Sequence, residues 1–148
     1  MRPSTCTRSI GIDVGHRVFG HESKCAHLHG HRYKIEITAR AALDELGRVI
    51  DFGVIKGVIG EWLLDQWDHG LLLFRGDPLV ELLQGQAVRE GVYQKLYVLD
   101  ENPTAENMAR FLLLRSALLL KEAGHPEVEV VKVRVWETPN CYAEACLD

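Results

Sequence analysis

The chain of 148 residues predicts an α+β fold on a mainly antiparallel sheet. Three observations carry that expectation. Segments 9–16, 29–37 and 128–137 alternate apolar and polar residues at the period of a strand. After Asp51 the apolar residues repeat at the period of a helix, and Asn102-Pro103-Thr104 carries the start signals of a second. The order runs strand, strand, helix, helix, strand, strand, with extra material between the helices.

In the first segment Ile10, Ile12, Val14 and His16 share one face. A loop, 17–28, leads to the second, where His29, His31, Tyr33, Ile35 and Ile37 share a face that begins polar and turns apolar. Asp51-Phe52-Gly53 then opens a helix, with Asp51 as N-cap and Ile55, Val58, Ile59, Trp62 and Leu63 on its apolar stripe. Gly76-Asp77-Pro78 reads as a turn, 79–83 as a short helix and 92–99 as a strand. Asn102-Pro103-Thr104 starts the second helix, with Asn102 as expected N-cap, Pro103 at the first helical position and Glu106 in the first turn. Lys121, Gly124 and Pro126 mark its end. The strand 128–137 puts Val131, Val133, Val135 and Glu137 on one face, and 142–147 returns as a short edge strand. With no repeat, low-complexity run or linker, residues 1–148 are expected to form one domain.

Composition narrows the classes. Seventeen Lys and Arg against twenty-one Asp and Glu give a net charge of −4 with no basic block, so no nucleic-acid footprint is present. The most apolar run, 111–120, is too short to span a bilayer and has Arg115 at its centre, so it reads as a core helix and no membrane partner is expected. The first ten residues lack the apolar stretch of a signal peptide, and four cysteines suit a reducing cytoplasm.

Seven histidines stand out, five of them between His16 and His31. His29 and His31 are two apart on a strand, so both imidazoles face one side. If the first two strands pair antiparallel, His16 at the end of the first lies beside them. Three neutral imidazoles with a fourth position open make a catalytic Zn2+ site. His21 and His27 compete as ligands, and His27 shares the strand parity. Cys25, beside Lys24 and the imidazoles, reads as a thiolate base or nucleophile, with a fourth ligand or an inert thiol as alternatives. Asp68 beside His69 can set the imidazole tautomer, making His69 a general acid or proton relay, although such a dipeptide also solvates helix ends. Glu137 is a carboxylate on a valine face, costly unless paired, and if buried an anchor for a donor-rich heterocycle.

Together these pieces resemble the family of 6-pyruvoyl-tetrahydropterin and 6-carboxy-tetrahydropterin synthases. Gly15-His16-Arg17 looks like its first zinc histidine, Cys25-Ala26-His27-Leu28-His29-Gly30-His31 like its Cys-x3-His-Gly-His signature, and Val49 to Gly53 like the entry to its first helix. Asp68-His69-Gly70-Leu71-Leu72 resembles its catalytic Asp-His segment, Asn102 to Asn107 its Asn-Pro-Thr-x-Glu-Asn motif, and Glu137-Thr138 its pterin-anchoring Glu-Thr. The stretch 73–94 is longer than in compact members.

The resemblance implies a T-fold: an antiparallel sheet with two helices on one face. It also implies an oligomeric barrel, typically a homo-hexamer of two trimers, with active sites at subunit interfaces. The implied substrate is 7,8-dihydroneopterin triphosphate. Zn2+ on His16, His29 and His31 would bind its side-chain hydroxyls, with Cys25 as base, His69 as relay assisted by Asp68, and Glu137 holding the pterin. Thr104 and Glu106 would support the pocket, a place their helix-start role explains equally well. Two outcomes follow: release of acetaldehyde and triphosphate, giving 6-carboxytetrahydropterin for 7-deazaguanine (queuosine-type) synthesis, which is preferred, or 6-pyruvoyl-tetrahydropterin for biopterin. A folate-synthesis branch carries Glu at the signature Cys, so Cys25 argues against it. A zinc- and pterin-binding T-fold protein without catalysis is the alternative of another class; it would need neither Cys25 nor His69.

Overall fold

A computed structural model describes residues 2–148. The two longest strands, β1 (Ser4–His16) and β2 (His29–Ala41), pair antiparallel along their whole length, from Ser4 opposite Ala41 to His16 opposite His29. Alternation decides what each face does. Ile10, Ile12 and Val14 of β1 and Tyr33, Ile35 and Ile37 of β2 point into the core, while Asp13, Arg32 and Lys34 point out.

Helix α1 covers residues 52–66 and runs as Phe52–Ile55, a π turn at Lys56–Gly60, and Glu61–Gln66. The Asp51 side chain caps it, accepting the Gly53 N–H at 2.7 Å, as its place in the sequence predicts. Strand β3 (Leu71–Phe74) follows, then helix α2 over 78–89, strand β4 (Leu96–Leu99), helix α3 (Ala105–Glu122), and strands β5 (Glu129–Thr138) and β6 (Cys141–Cys146). The sheet has six strands in the order β4-β3-β1-β2-β5-β6. Pairings β1–β2, β2–β5 and β5–β6 are antiparallel, and β1–β3 and β3–β4 are parallel.

Helices α1 and α3 bury Ile55, Ile59 and Leu63, and Met108, Leu112 and Leu120, in one core with the inner residues of β1, β2 and β5. Arg115, at the centre of the most apolar run, lies over the Trp62 and Phe111 rings, 5.6 and 5.4 Å from their centroids.

Four details differ from the pattern read in the sequence. Leu71–Phe74 is a strand, and its uniformly apolar run lacks alternation because β3 is held in parallel pairings on both sides. The strand expected over 92–99 begins only at Leu96, and the short helix expected over 79–83 extends over 78–89 with no buried residue. Thr104, not Asn102, caps α3: its hydroxyl accepts the Asn107 N–H at 3.1 Å, which puts Pro103 outside the helix. Finally, a register shift in β5 opposite Thr38 and Ala39 leaves Val131 as the extra residue, so Val130 turns inward in its place.

Candidate active site

The antiparallel register brings the three clustered histidines together. His16 and His29 are directly opposed, and His31 lies one step inward on the same face. Their ligand nitrogens all lie within 4.8 Å of one another, and the Nε2 atoms of His16 and His29 are 3.1 Å apart. His16 donates from Nδ1 to the Pro103 carbonyl at 2.7 Å, and His29 from Nδ1 to the His27 carbonyl at 2.7 Å. Both rings therefore carry their lone pair on Nε2, and the two lone pairs face each other. The Nε2 of His31 is buried without a hydrogen-bond partner. Burial pushes the His16 imidazole below its ordinary pKa, against the pull of the Pro103 carbonyl and Glu137. Burial does the same to His31, against Glu137. Imidazoles with converging lone pairs and one orphaned buried nitrogen form a group that could hold a divalent metal.

Glu137, near the end of β5, stands beside this set. Its Oε1 is 3.5 Å from His16 Nε2 and 3.8 Å from His31 Nε2. The buried Tyr33 hydroxyl donates to the same oxygen at 3.5 Å. Burial, then the Glu137 charge, then Cys25 hold the Tyr33 phenol far above its ordinary pKa, so it keeps its proton.

Cys25 itself sits half-buried in a single 3-10 turn, Lys24–Ala26, within the loop between β1 and β2. The loop is held in two places. The Val18 N–H donates to the Cys25 carbonyl at 2.8 Å, and Asn102 grips Phe19 on both sides, accepting its N–H at 2.8 Å and donating to its carbonyl at 3.0 Å. Of the competing histidines, His21 accepts the Ser23 N–H through Nδ1, and His27 is exposed; neither joins the metal-ligand group.

Asp68 and His69 lie elsewhere. The chain leaves α1 through Trp67 and Asp68 and enters a left-handed conformation at His69, φ 59°, which is uncommon for a residue with a side chain. The backbone of Asp13 holds the pair there: its N–H donates to Asp68 Oδ1 at 2.9 Å, and its carbonyl accepts the His69 N–H at 2.6 Å. His69 Nδ1 donates to Asp68 Oδ2 at 2.7 Å and the His69 side chain is 77% exposed. Burial raises the Asp68 carboxyl, but the Asp13 N–H, His69 and Lys95 outweigh it and leave it below its ordinary pKa. His69 borders a cavity of about 450 Å³ lined by Asp13, Gly15, Gly30 and Arg32 of the outward-facing set and also by Val14 and His31, and the ligand atoms of Asp13, Asp68 and His69 lie within 4.8 Å of one another. The histidine triad and the Asp68–His69 pair are thus on opposite faces of the same two strands.

Residues 5–146 match the family model described as 6-pyruvoyl tetrahydropterin synthase. The chain belongs to that family. A 6-carboxy-5,6,7,8-tetrahydropterin synthase of Rickettsia bellii is 44% identical over 140 residues, covering 94% of this chain and 97% of the relative. One from Aquifex aeolicus is 36% identical over 155 residues, covering 93% and 94%. Among solved structures, an uncharacterized protein from Wolinella succinogenes superposes with a TM-score of 0.84 at 21% identity, both chains being covered completely. The 6-pyruvoyl tetrahydropterin synthase of Caenorhabditis elegans superposes with a TM-score of 0.68 at 19% identity, covering 100% and 98%. The fold is the T-fold of these synthases, a curled mixed sheet with few helices.

Within this candidate site, five participants escaped the sequence reading. Tyr33 was visible only as a position of strand parity. The Pro103 carbonyl and the Asp13 amide are backbone groups, which leave no mark in a sequence. Arg17, next to His16, donates through Nε to Asp77 Oδ2 at 2.7 Å and through its second nitrogen to Oδ1. Asp77 is buried and also caps α2 by accepting the Leu79 N–H at 2.8 Å. A residue pair sixty positions apart gives no local signal.

Proposed function

We infer that this protein is a zinc-dependent 6-carboxy-5,6,7,8-tetrahydropterin synthase. It acts as a lyase on 7,8-dihydroneopterin triphosphate, releasing acetaldehyde and triphosphate to leave 6-carboxytetrahydropterin. The observation that carries this reading is the 44% identity to a relative of that name, over nearly the whole of both chains. The meeting of His16, His29, His31 and Glu137 on one face supports it.

The chain's own residues divide the work. Glu137 accepts the N–H donors of the pterin ring and orients it against the triad. Cys25 takes the proton from the substrate side chain, which needs the thiolate form. His16, His29 and His31 hold Zn2+, which when bound supplies Lewis-acid polarisation to the side-chain hydroxyls. Thr104 and Glu106 support the pocket by setting the start of α3, next to the Pro103 carbonyl that fixes the His16 ring. Asp68 and His69 face away from their own chain's triad. Their role as proton relay therefore fits a homo-oligomer, a hexamer of two trimers, in which they serve the neighbouring subunit's site. A single 1–148 domain, a cytoplasmic setting and a step in 7-deazaguanine synthesis complete the reading. No helix among the described residues is long and apolar enough to cross a membrane.

Incubating the zinc-loaded protein with 7,8-dihydroneopterin triphosphate tests it. Acetaldehyde with a 6-carboxy pterin is expected. A 6-pyruvoyl product would move the protein to the sister activity. Bound zinc and pterin without turnover would make it a binding protein.

A further inference from the structure

Tyr33 is a buried phenol with two acceptors in reach, His16 Nε2 at 3.4 Å and Glu137 Oε1 at 3.5 Å. It follows His31 by two residues on β2, so its ring rises on the metal-binding face, edge-on to His16 and His31 with centroids 6.0 and 5.5 Å away. Its oxygen is 3.4 Å from each nitrogen of His16. One of those nitrogens already gives its proton to Pro103, and the other belongs to the ligand set. When a metal takes the His16 Nε2 lone pair, the acceptor left to the phenol is Glu137 Oε1, at 3.5 Å. Glu137 is in turn the group most able to spoil the site. Its Oε1 is within 3.8 Å of two ligand nitrogens, so a small movement would carry a carboxylate into the metal's open position. Among the described residues, its hydrogen bond and ion contacts run through Oε1. Oε2 and the outward lone pair of Oε1 are left for the paired N–H donors of an aminopyrimidinone ring.

We propose that Tyr33 is the positioning residue of Glu137, its hydroxyl holding the carboxylate off the metal and turned toward the pterin. The proposal rests on the functional reading above for the pterin, but not for the carboxylate. Without the hydroxyl, Glu137 closes on the metal and competes with the ligand's own oxygens.

Two measurements test this, and Tyr33→Phe is the variant because it preserves core volume. The first uses the protein loaded with Co2+ in place of zinc, with no pterin present. Tyr33→Phe should bind cobalt at the wild-type stoichiometry but show an altered visible absorption spectrum. The double variant Tyr33→Phe/Glu137→Ala should match Glu137→Ala alone. The second is a fluorescence titration with neopterin. Tyr33→Phe should weaken binding about tenfold, in line with loss of a hydrogen bond to a charged group, and have no further effect in the Glu137→Ala background. Cobalt spectra that do not change in Tyr33→Phe overturn the proposal, as do lost cobalt or effects on neopterin affinity that simply add. A wild-type protein that binds no neopterin overturns the functional reading, while the cobalt spectra still decide the role of Tyr33.

Discussion

The inner and outer faces of the β1–β2 ribbon carry similar side chains in different states of readiness. On the inner face three imidazoles, a phenol and a carboxylate are oriented before any ligand arrives, because backbone carbonyls fix two of the rings and burial keeps two of them neutral. On the outer face Asp68 and His69 have a defined backbone, pinned by Asp13, but an imidazole largely in water. One face is preorganised at the cost of desolvation, which a cation relieves. The other leaves an imidazole free to meet a group beyond its own face. A single strand pair can serve two sites because side chains alternate with period two.

The sharpest way to break this contrast is to remove one imidazole from each face. His29→Ala should lower metal affinity by orders of magnitude, while His69→Ala keeps full metal stoichiometry and loses turnover; metal analysis and activity assays separate the two. If His69→Ala sheds its metal, the faces are not independent.

Mixing comes next. Cys25→Ala should be inactive with its metal retained, and so should His69→Ala. When the two variants are unfolded, mixed in equal amounts and reassembled, about a quarter of wild-type activity should return if each site draws Cys25 and His69 from different subunits. Sites built within one chain would recover nothing, since every chain carries a lesion.

Smaller effects test how the inner face is supported. Asp77→Asn unpairs Arg17 beside His16 of the triad and should lower the melting temperature by about 5 °C near neutral pH. The Arg17 hydrogen bonds hold the Asp77 carboxyl below its usual value of 3.8, so the wild-type advantage is complete above that pH. It should shrink as pH falls through the lower folded-state value, where the native carboxylate is finally protonated. A difference that persists unchanged in strong acid would mean that shape, not charge, matters at Asp77. Removing the cap of α3 with Thr104→Ala should cost about 1 kcal/mol in denaturant unfolding.

Much of the inner face was legible beforehand. The parity of His29, His31 and Tyr33, and the place of His16 at a strand end, follow from alternation alone. Cys25 and Glu137 were legible as chemistry, though not in their place: Glu137 lies beside the triad only once β5 is laid along β2. The hidden parts have identifiable causes. Leu71–Phe74 has the uniform apolarity of a strand buried among parallel partners, so it shows no period to read. Asn102 has the chemistry of a cap yet spends its amide on Phe19, leaving the cap to Thr104. The dipeptide Asp68-His69 announced a relay but not its side of the sheet, because that depends on where α1 hands the chain to Asp13. Arg17 and Asp77 are joined only once β3 is laid beside β1.

The hydrogen bond from His16 to the Pro103 carbonyl links the metal triad to the residue just before the cap of α3. Whatever steadies the His16 ring steadies the first turn of an eighteen-residue helix, where the Met108 N–H closes on the Thr104 carbonyl. Filling the triad with a divalent ion is therefore expected to slow amide exchange in that turn. A spectroscopist watching Met108 and Asn107 can follow the filling of the site without a substrate, a chromophore or an assay.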